Sequence, residues 1–512
     1  MKTPDNENRY DSIVVGAGAS GMTLTLLLAM NGRKVLLIEK ANRIGGSLKR
    51  FYRQGIPLDT GFHFTGGFAK DGILADMLGI LEMKDDIRPE FVKRPEDNRF
   101  IFETDGTSYS LPGGYESCIQ SLAYRFPEER AAIEAYFARV RQVVEETGAM
   151  DIQSITSERA ETSEYEFKSL EAVLDSLTDN GRLKTLLSSL SMCYGTEAAS
   201  VSFADHSRVV YSLYQSIARV KGGGGAFITA FKKKFKEYGV TVKTNTFITS
   251  MEDISNRTVG TFVLNHHTRV CADECIFTIH PEKTLETLPQ EHVTRAFTRR
   301  VHAFERSIGF FSVFFKITDE IAEPFSPALI SLLPTGNIEE MFDPSLEGDF
   351  PLVMIKSSEI VKGQPVNLVN AFEMSHFEHV KQWTESKVGN RPTSYHAYKK
   401  ERTERIMERI CRFFPEYENR LEVLDAASML TFRDYLNTPY GCAYGIKQKI
   451  GQFNLFGRLP FRNIYAAGQS ALLPGVVGAM MSSFILCRTL VGRNAYADFI
   501  NTSLEKASCD GS

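Results

Sequence analysis

The sequence has no excess of basic charge. Its 59 lysines and arginines are outnumbered by 63 aspartates and glutamates, which gives a formal net charge of −4. A nucleic-acid-binding chain is expected to carry a basic stripe, so we expect no nucleic-acid partner. We interpret the short basic run from Lys232 to Lys234, with Lys236, as the solvated face of a helix.

Paired cysteine motifs are also missing. The eight cysteines are scattered without a Cys-x-x-Cys pair, and Cys271-x-x-x-Cys275 has no second ligand pair near it. The pattern fits neither the common zinc motifs nor a disulfide framework. We therefore predict no metal site and a reducing compartment, the cytoplasm. Met1 to Arg9 is polar without an apolar core, so we expect no secretory signal.

Long uninterrupted apolar runs and internal repeats are absent as well. The nearest approach to a membrane span, Ser470 to Cys487, contains Pro474, Gly475 and paired serines. A spanning helix needs about 20 mostly apolar residues, so we predict a buried helix here. With a prior of ~150 residues per domain, the 512-residue chain holds about three domain-sized units.

The chain begins with a strand, a glycine-rich turn, a helix and a second strand. Ile13 to Val15 is a short apolar run, and Gly21 to Met30 is rich in leucine and alanine. Asn31-Gly32 ends this helix, and Val35 to Ile38 is the next apolar run. Strand, helix and strand within about thirty residues predict a βαβ unit.

The turn of this unit, Gly16-Ala17-Gly18-Ala19-Ser20-Gly21, matches the pattern G-x-G-x-x-G. The match is specific because it follows a strand and opens a helix. Gly16 allows the tight turn, Gly18 lets the backbone approach a pyrophosphate, and Gly21 lets helix and strand pack closely. Free N–H groups at the helix start attract phosphate. Glu39 ends the second strand, where a carboxylate binds ribose hydroxyls and disfavours a 2′-phosphate.

The residues after Glu39 connect this motif to a family. Arg43-Ile44-Gly45-Gly46 follows, and then Leu58-Asp59-Thr60-Gly61. The string from Ile13 to Gly46 resembles the FAD-binding start shared by amine oxidases, protoporphyrinogen oxidase and phytoene desaturases, in which Arg-x-Gly-Gly continues the pyrophosphate contact. The resemblance implies FAD rather than NAD. The residues it assigns to the cofactor are Gly16, Gly18, Ala19, Ser20, Gly21, Glu39, Lys40, Arg43, Gly45, Gly46 and Ser47.

Further segments narrow the resemblance to the retinol saturase and carotenoid isomerase branch of the phytoene desaturase-like group. Asp59 to Phe64 is similar to the retinol saturase string Asp-Thr-Gly-x-His-Tyr, and Thr431 to Gly445 resembles the stretch before the last flavin-contacting element. Tyr465 to Ala479 aligns without gaps to Gly-Gln-Asp followed by Gly-Ile-Val-Gly-Ala. The cofactor contacts implied here are Gly468, Gln469, Val476, Val477 and the backbone of Val242, which would meet the adenine.

The sequence departs from the superfamily at one of these contacts. An acidic residue usually follows the glycine of the C-terminal motif and holds the ribityl chain, whereas Gln469 and Ser470 follow Gly468 here. Both side chains can hydrogen-bond a hydroxyl group without charge. We therefore expect FAD to bind with an uncharged contact at this point.

The middle of the chain differs in pattern from its ends. Residues 115–147 and 165–220 are mostly helical, Gly222 to Gly225 interrupts the chain, and a helix from Ala226 to Tyr238 precedes strand-like segments. We predict an α/β fold with a Rossmann-type, glutathione-reductase-like FAD-binding domain and an inserted α+β substrate domain. The expected boundaries are 1–85, 215–285 and 421–500 for the FAD-binding domain, 86–214 and 286–420 for the substrate domain, and 501–512 for a C-terminal tail.

The resemblance implies hydride transfer between the flavin and carbon–carbon bonds of a hydrophobic polyene or isoprenoid, retinoid- or carotenoid-like. Saturation also needs a proton donor. The candidates are His63, Tyr444, Asp205 and His206, of which we select His63 and Tyr444. The competing roles are a hydrogen bond that keeps the loop of His63 rigid, and an aromatic wall for Tyr444. We interpret Asp205 and His206 as structural or solvent-exposed, and Trp383 and the His266-His267 turn as structural.

Other functions remain open at this stage. A redox-neutral carotenoid cis–trans isomerase with reduced FAD needs the same residues as saturation or desaturation. A flavin amine oxidase is disfavoured because the aromatic pair that cages an amine is not evident after Gly468. A Rab GDP-dissociation-inhibitor-like prenyl-binding protein is disfavoured because its glycine motif would be eroded. The expected partners are a hydrophobic substrate, an external electron donor or acceptor, and a membrane surface contacted peripherally.

Overall fold

The computed structural model describes residues 8–152, 163–318, 326–346 and 348–509. Two large sheets dominate this part of the chain. The eight strands of the first sheet are β1 (Arg9–Val15), β2 (Val35–Ile38), β9 (Thr241–Lys243), β10 (Ile248–Glu252), β11 (Thr261–Leu264), β12 (Thr268–Phe277), β18 (Gly457–Arg458) and β19 (Ile464–Ala466).

The centre of this first sheet is parallel. Its order is β10-β11-β12-β1-β2-β9, and β19 pairs with β12 and β18. Strands β1, β2, β9, β12 and β19 run in one direction. Ile13, Val14 and Leu36 are fully buried, because a parallel sheet is covered on both faces. The carboxyl ends of the parallel strands therefore meet at one edge, where ligands bind in such sheets.

Helices from distant parts of the chain cover one face of this sheet. These are α1 (Ala19–Met30), α8 (Gly223–Glu237) and α14 (Gly475–Val491). Leu24, Phe231 and Met480 belong to one buried apolar cluster, and α1 packs against α14. The α/β class and the Rossmann-type arrangement are confirmed.

The second sheet has seven strands in the order β17-β13-β16-β15-β14-β6-β7. All neighbours are antiparallel except β14 and β6. The strands are β6 (Asn98–Phe102), β7 (Ser108–Ser110), β13 (Gly309–Ile317), β14 (Ala328–Leu333), β15 (Leu352–Val361), β16 (Gln364–Ser375) and β17 (Leu421–Ala427).

The two faces of the second sheet bury different partners, because successive side chains of a strand point to opposite faces. Phe311, Val313 and Phe315 pack in one cluster with α12 (Thr393–Phe413). Phe310 and Phe314 face a cluster of helices between residues 115 and 214. The helical segments expected at 115–147 and 165–220 are α3 (Tyr115–Arg125), α4 (Arg130–Glu146), α5 (Leu170–Asp175), α6 (Gly181–Ser188) and α7 (Phe203–Gln215).

Two small sheets and further helices complete the described fold. Strand β3 (Arg50–Arg53) pairs with β4 (Ile56–Asp59), and β5 (Pro89–Phe91) pairs with β8 (Ala218–Val220). The remaining helices are α2 (Ile73–Ile80), α9 (Pro281–Thr287), α10 (Arg295–His302), α11 (Ile338–Met341), α13 (Met429–Leu436) and α15 (Arg493–Cys509).

Several sequence expectations need correction. Residue 421 does not begin the FAD-binding part, because β17 hydrogen-bonds to β13 in the second sheet. The segment 501–509 is not a tail but the end of α15, and residues 510–512 lie outside the described part of the chain. Helix α8 begins three residues earlier than expected, at Gly223. Lys234 is buried and paired with Glu82, so it is not part of a solvated face.

The apolar C-terminal segment forms a buried helix, as predicted. Most of the side chains of α14 are buried, including Met480, Phe484 and Leu486. Among the described residues, no helix is long and apolar enough to cross a membrane.

Candidate functional site

The glycine-rich turn lies at the carboxyl edge of the first sheet, between β1 and α1. Gly16 has a φ of +99°, and a Cβ atom at Gly21 would lie 1.8 Å from the Gly16 carbonyl oxygen. A Cβ atom at Gly18 would meet nothing within 4 Å. Two of the glycines are therefore required by the fold, whereas Gly18 borders open space.

The first turn of α1 presents unpaired donors toward this space. The first backbone N–H groups of a helix have no intrahelical partner, and those of α1 belong to Ala19, Ser20 and Gly21. The Ser20 hydroxyl is engaged elsewhere, because it lies 2.8 Å from the Ser483 hydroxyl of α14. Ser20 therefore has its backbone N–H, rather than its side chain, available for a phosphate.

Glu39 stands at the end of β2 with its carboxylate fixed. Its two oxygens accept the backbone N–H groups of Ala17 at 2.9 Å and Ala41 at 2.8 Å. Each carboxylate oxygen can accept a further hydrogen bond, so ribose hydroxyls can still bind. Lys40 follows at the surface, and Val242 lies in β9 opposite Leu37 of β2, 36% exposed.

The second glycine pair touches the first turn. The Gly45 N–H donates to the Ala17 carbonyl at 2.7 Å, and a Cβ atom at Gly46 would lie 3.0 Å from the Cα atom of Gly18. Both glycines have positive φ. The Arg43 to Ser47 loop therefore encloses the space in front of Gly18, and Arg43 and Ser47 themselves are exposed.

The C-terminal motif joins the same edge through α14. The Gly468 N–H donates to the Ser482 hydroxyl at 2.9 Å, and the Ser483 hydroxyl donates to the Ser20 carbonyl at 2.9 Å. The Gln469 side chain lies half-buried, with its amide nitrogen 3.5 Å from the Ala443 carbonyl. Val476 and Val477 lie in the first turn of α14, half-buried, where free N–H groups are available.

His280, at the start of α9, is a site residue that sequence reasoning missed. Its Nδ1 accepts the Glu282 N–H at 3.2 Å, whereas its buried Nε2 has no hydrogen-bond partner among the described residues. Burial lowers the pKa of His280 to about 4, so the neutral ring carries its proton on Nε2. Ser470 and His280 both approach Gly445. The available signal was its position just after β12, at the carboxyl edge of the sheet.

His63 lies half-buried after β4, with its ring over Phe372 at a centroid distance of 4.1 Å. Among the described residues it makes no hydrogen bond, so it does not brace its loop in the way that the alternative role requires. Burial, together with the charges of Arg219 and Arg50, lowers the pKa of His63 to about 3. The ring is therefore neutral at pH 7 and is not an imidazolium acid.

Tyr444 is held between glycines at the start of a loop that packs on β13. Its N–H donates to the Ser307 hydroxyl at 3.1 Å, and its ring meets Phe310 edge-on at 6.3 Å. A Cβ atom at Gly195 would lie 2.9 Å from this ring. Burial holds the pKa of Tyr444 well above its ordinary value, so the phenol keeps its proton.

His63 and Tyr444 are two ends of one aromatic surface on the second sheet. Phe310 and Phe314 lie on the same face of β13 with Ser312 between them. Phe314 lies 6.0 Å from Phe372, whose ring contacts His63. We call Tyr444, Phe310, Phe314, Phe372 and His63 the aromatic wall. The predicted wall role of Tyr444 agrees with this geometry, while a catalytic role of either residue stays a prediction.

A buried group of charges beside His63 was also missed. Arg50 in β3 pairs with Asp59 at 3.0 Å and with Glu359 of β15 at 2.6 Å. Arg219 of β8 approaches Asp59 and Glu359 at 3.9 and 3.7 Å. We call these four residues the charge cluster. Asp59 also accepts the Gly224 N–H at 3.1 Å and so fixes the start of α8.

The remaining candidates are structural. His206 is fully buried, not solvent-exposed, and its ring nitrogens lie 2.7 Å from the Tyr136 hydroxyl and 2.8 Å from the Tyr194 hydroxyl. Asp205 pairs with Arg208 at 3.0 Å. Trp383 is buried.

The last site expectations concern the His266-His267 pair and metals. His266 has a φ of +68° in the turn between β11 and β12. In the described ranges there is no group of three or more His, Cys, Asp or Glu residues that could hold a metal ion.

The site residues fit a flavin dinucleotide. Several groups at one edge of the sheet can still bind a ligand. They are the open space at Gly18, the free N–H groups of α1, the fixed Glu39 carboxylate and the unpaired Nε2 of His280. A helix N-terminus and a strand-end carboxylate are complementary to a pyrophosphate and a ribose.

Comparisons with known proteins place the chain in a flavoprotein family. The sequence model of the family "Flavin containing amine oxidoreductase" matches residues 19–359. All-trans-retinol 13,14-reductase from Danio rerio is 24% identical over 95% of this chain and 87% of its own. Prolycopene isomerase 2 from an Oncidium hybrid cultivar is 27% identical over 30% of this chain and 25% of its own.

A solved structure extends the likeness to the fold. An oxidoreductase from Methanosarcina mazei superimposes with a TM-score of 0.62 at 16% identity, over 92% of this chain and 98% of its own. The likeness shows a common fold. Together with the family match, it identifies the chain as an FAD-dependent oxidoreductase that belongs to the flavin containing amine oxidoreductase family.

Proposed function

We propose that this enzyme transfers hydride between FAD and a carbon–carbon bond of a hydrophobic polyene or isoprenoid, retinoid- or carotenoid-like. The observation that carries the proposal is the similarity to all-trans-retinol 13,14-reductase along 95% of the chain. The aromatic wall supports it, since a row of rings from His63 to Tyr444 is complementary to an extended apolar chain.

FAD, when bound, supplies or accepts the hydride or electron pair. The chain's own residues bind the cofactor and orient the substrate. The N–H groups of α1 and the Glu39 carboxylate would hold the pyrophosphate and ribose of FAD. The first turn of α14, with Gln469, would hold the flavin-side part of FAD. The aromatic wall orients the substrate and excludes water, because reaction requires the reacting atoms at about 3–3.5 Å.

Saturation adds one hydride and one proton across a double bond, and we assign the proton to the Tyr444 hydroxyl. The phenol keeps its proton at neutral pH, and its hydroxyl makes no hydrogen bond among the described residues. A carbanion-like centre is far more basic than a phenolate, so it can take this proton. His63 is neutral at pH 7, and we assign it to substrate orientation.

Two alternative activities follow from specific observations. The similarity to a prolycopene isomerase favours redox-neutral cis–trans isomerisation, in which a double bond is rearranged without net hydride gain. The family match favours amine oxidation.

An external electron donor or acceptor completes the redox cycle of the preferred activity. We assign substrate delivery to a cytoplasmic membrane surface, because polyenes reside in bilayers.

The test is a pair of optical measurements on the purified protein. The oxidised protein is expected to carry flavin absorption bands near full occupancy. Under anaerobic, dithionite-reduced conditions, all-trans-retinol or a carotenoid is expected to lose conjugated absorption with one double bond saturated. A shifted spectrum with unchanged conjugation indicates isomerisation. Flavin bleaching by an added amine, with unchanged polyenes, would overturn the proposal.

A further inference from the structure

Arg219 differs from the other deeply buried arginines in its hydrogen bonding. Its side chain is only 6% exposed, yet its three carboxylate neighbours lie at 3.7–3.9 Å, beyond hydrogen-bond distance. Arg409 is 1% exposed and donates to Glu103 at 2.6 Å and Glu373 at 2.8 Å. A guanidinium has five N–H donors, and those of Arg219 make no hydrogen bond within the described ranges.

The charge around Arg219 is already balanced. In the charge cluster, two guanidinium groups face the two carboxylates of Asp59 and Glu359. The third carboxylate near Arg219, that of Glu90, is 38% exposed at the rim. An additional carboxylate from a ligand would leave a buried negative charge without a partner, which is costly. The unfilled donors of Arg219 therefore suit a neutral oxygen.

Further unpaired polar atoms lie on the sheet face that carries the aromatic wall. The side-chain oxygens of Ser312, Ser357 and Asn370 are buried and have no hydrogen-bond partner in the part of the chain that the structure describes. Ser312 pairs with Phe372, and Asn370 pairs with Phe314. The wall is therefore apolar toward Tyr444 and becomes polar toward the charge cluster.

From these observations we infer that Arg219, with His63 beside it, binds a neutral oxygen atom at one end of the substrate chain, a hydroxyl or carbonyl group. This inference rests on the proposed function and adds a specificity-determining residue to it. The neutral imidazole of His63 adds a donor and an acceptor that none of the described residues uses. An oxygen-bearing end group would fix which double bond of a long chain lies beside the flavin.

Arg219 is separate from the elements assigned to the cofactor. It lies in β8, which pairs with β5 in a small sheet. The cofactor residues lie in or beside the first sheet, after its parallel strands, in β9 and in the first turn of α14. We therefore expect Arg219→Met to retain its flavin. Loss of flavin from this variant would assign Arg219 to the cofactor and overturn the inference.

The experiment compares three polyenes of equal chain length that end in a hydroxyl, a methyl or a carboxylate group. The dissociation constant of each for the oxidised protein is measured by fluorescence, and kcat/KM under reducing conditions. The wild type is expected to prefer the alcohol over the hydrocarbon by about 10–100-fold, because a buried donor left unpaired penalises the analogue that lacks the oxygen. Arg219→Met should abolish the preference by weakening alcohol binding, leaving the hydrocarbon unchanged.

Two further variants keep the test decisive. Arg219→Lys retains the positive charge of the cluster and should fold even if Arg219→Met does not, with a reduced preference for the alcohol. Arg391→Met is the matched control. The Arg391 side chain is 7% exposed and hydrogen-bonded to Asp434, and both residues lie far from Arg219 in the sequence. It should keep the wild-type preference.

The outcomes separate the inference from the function that it rests on. Three results would each overturn the role of Arg219: equal binding of alcohol and hydrocarbon by the wild type, an unchanged alcohol-to-hydrocarbon ratio in both Arg219 variants, or the carboxylate as the best ligand. Turnover of any polyene would still support the proposed function. Failure to convert all three polyenes would instead overturn the proposed function.

Discussion

The buried polar groups of the two large sheets differ in how completely they are hydrogen-bonded. At the carboxyl edge of the first sheet, the polar side chains around the glycine-rich turn are bonded to the backbone: Glu39 accepts two N–H groups, and the Thr278 hydroxyl donates to the carbonyls of Val15 and Gly16 at 3.0 Å. The exception at this edge is Nε2 of His280, which has no hydrogen-bond partner among the described residues. On the inner face of the second sheet, Ser312, Ser357 and Asn370 have unpaired oxygens.

This difference separates scaffold from recognition surface. Buried polar groups are normally hydrogen-bonded, and each exception needs an explanation. In the first sheet the bonds fix a turn whose shape is set before any ligand binds. In the second sheet the unpaired atoms lie on the face that also carries Glu359, which approaches Arg219. Arg219 makes no hydrogen bond among the described residues, which is the arrangement expected where a ligand supplies the missing partner.

The strongest test of the scaffold is Gly21→Ala. The added methyl group would lie 1.8 Å from the Gly16 carbonyl oxygen, and backbone cannot move aside as a side chain can. We expect a loss of at least about 4 kcal/mol of folding free energy, or failure to fold, measured by chemical denaturation with flavin absorbance as a second readout.

Gly18→Ala is the matched control in the same turn. Its Cβ atom would meet no protein atom within 4 Å, so the stability of the flavin-free protein should change by less than about 0.5 kcal/mol. The methyl group would enter the space assigned to the pyrophosphate, and flavin occupancy should fall. Equal stability losses in the two variants would contradict the distinction between a required glycine and a glycine that borders open space.

The junction between the sheets is tested by Asp59→Asn. This change leaves Arg50 and Arg219 with one carboxylate fewer in a buried site, and breaking a buried pair costs about 3–5 kcal/mol. Asp273→Asn breaks the exposed pair with Arg9 and should cost less than about 1 kcal/mol. A comparable effect of both substitutions on urea unfolding would show that the charge cluster is not a buried ion network.

The last expected effect concerns pH and the helical layer over the second sheet. Burial lowers the pKa of His206 to about 3 in the folded protein, below its ordinary 6.5. The unfolded chain therefore binds this proton first, and the contribution of His206 to stability is present above pH 6.5 and declines toward pH 3. The slope from one such group reaches about 1.4 kcal/mol per pH unit.

The substitution His206→Phe should flatten the fall of stability between pH 6.5 and pH 3. Tyr136→Phe is the matched control, because it removes the hydrogen bond to His206 but keeps the titrating ring. Denaturation midpoints across this pH range measure both. An unchanged slope in His206→Phe would mean that this ring is already protonated, or solvated, in the folded state.

Sequence reasoning succeeded where the structure is local. The strand, turn and helix at Arg9–Met30 and the next strand at Val35–Ile38 were predicted, because apolar periodicity and glycine spacing act within one turn or one strand. The buried helix at α14 was predicted for the same reason. FAD followed from the resemblance of Ile13 to Gly46 to the FAD-binding start of amine oxidases and phytoene desaturases.

The sequence did not identify the partners of the second sheet. Arg50 meets Glu359 across 309 positions of the chain, and nothing near either residue indicates the other. Arg219 lies in a short strand, and the residues beside it in the sequence form no motif that indicates a binding site. His280 and the strand β17 were missed or misassigned because their roles depend on which strand lies beside them.

The amino-acid sequence by itself determined the dinucleotide turn, since Gly16, Gly18 and Gly21 act on backbone geometry within a few residues. The class of cofactor was also recognisable from sequence, because Glu39 and the Arg43–Gly46 loop follow that turn as they do in the FAD-binding family that the chain resembles. Only the tertiary structure decided which charges face each other and which polar atoms stay unpaired. Those properties depend on contacts between segments hundreds of residues apart, and such contacts exist only after the two sheets have packed together.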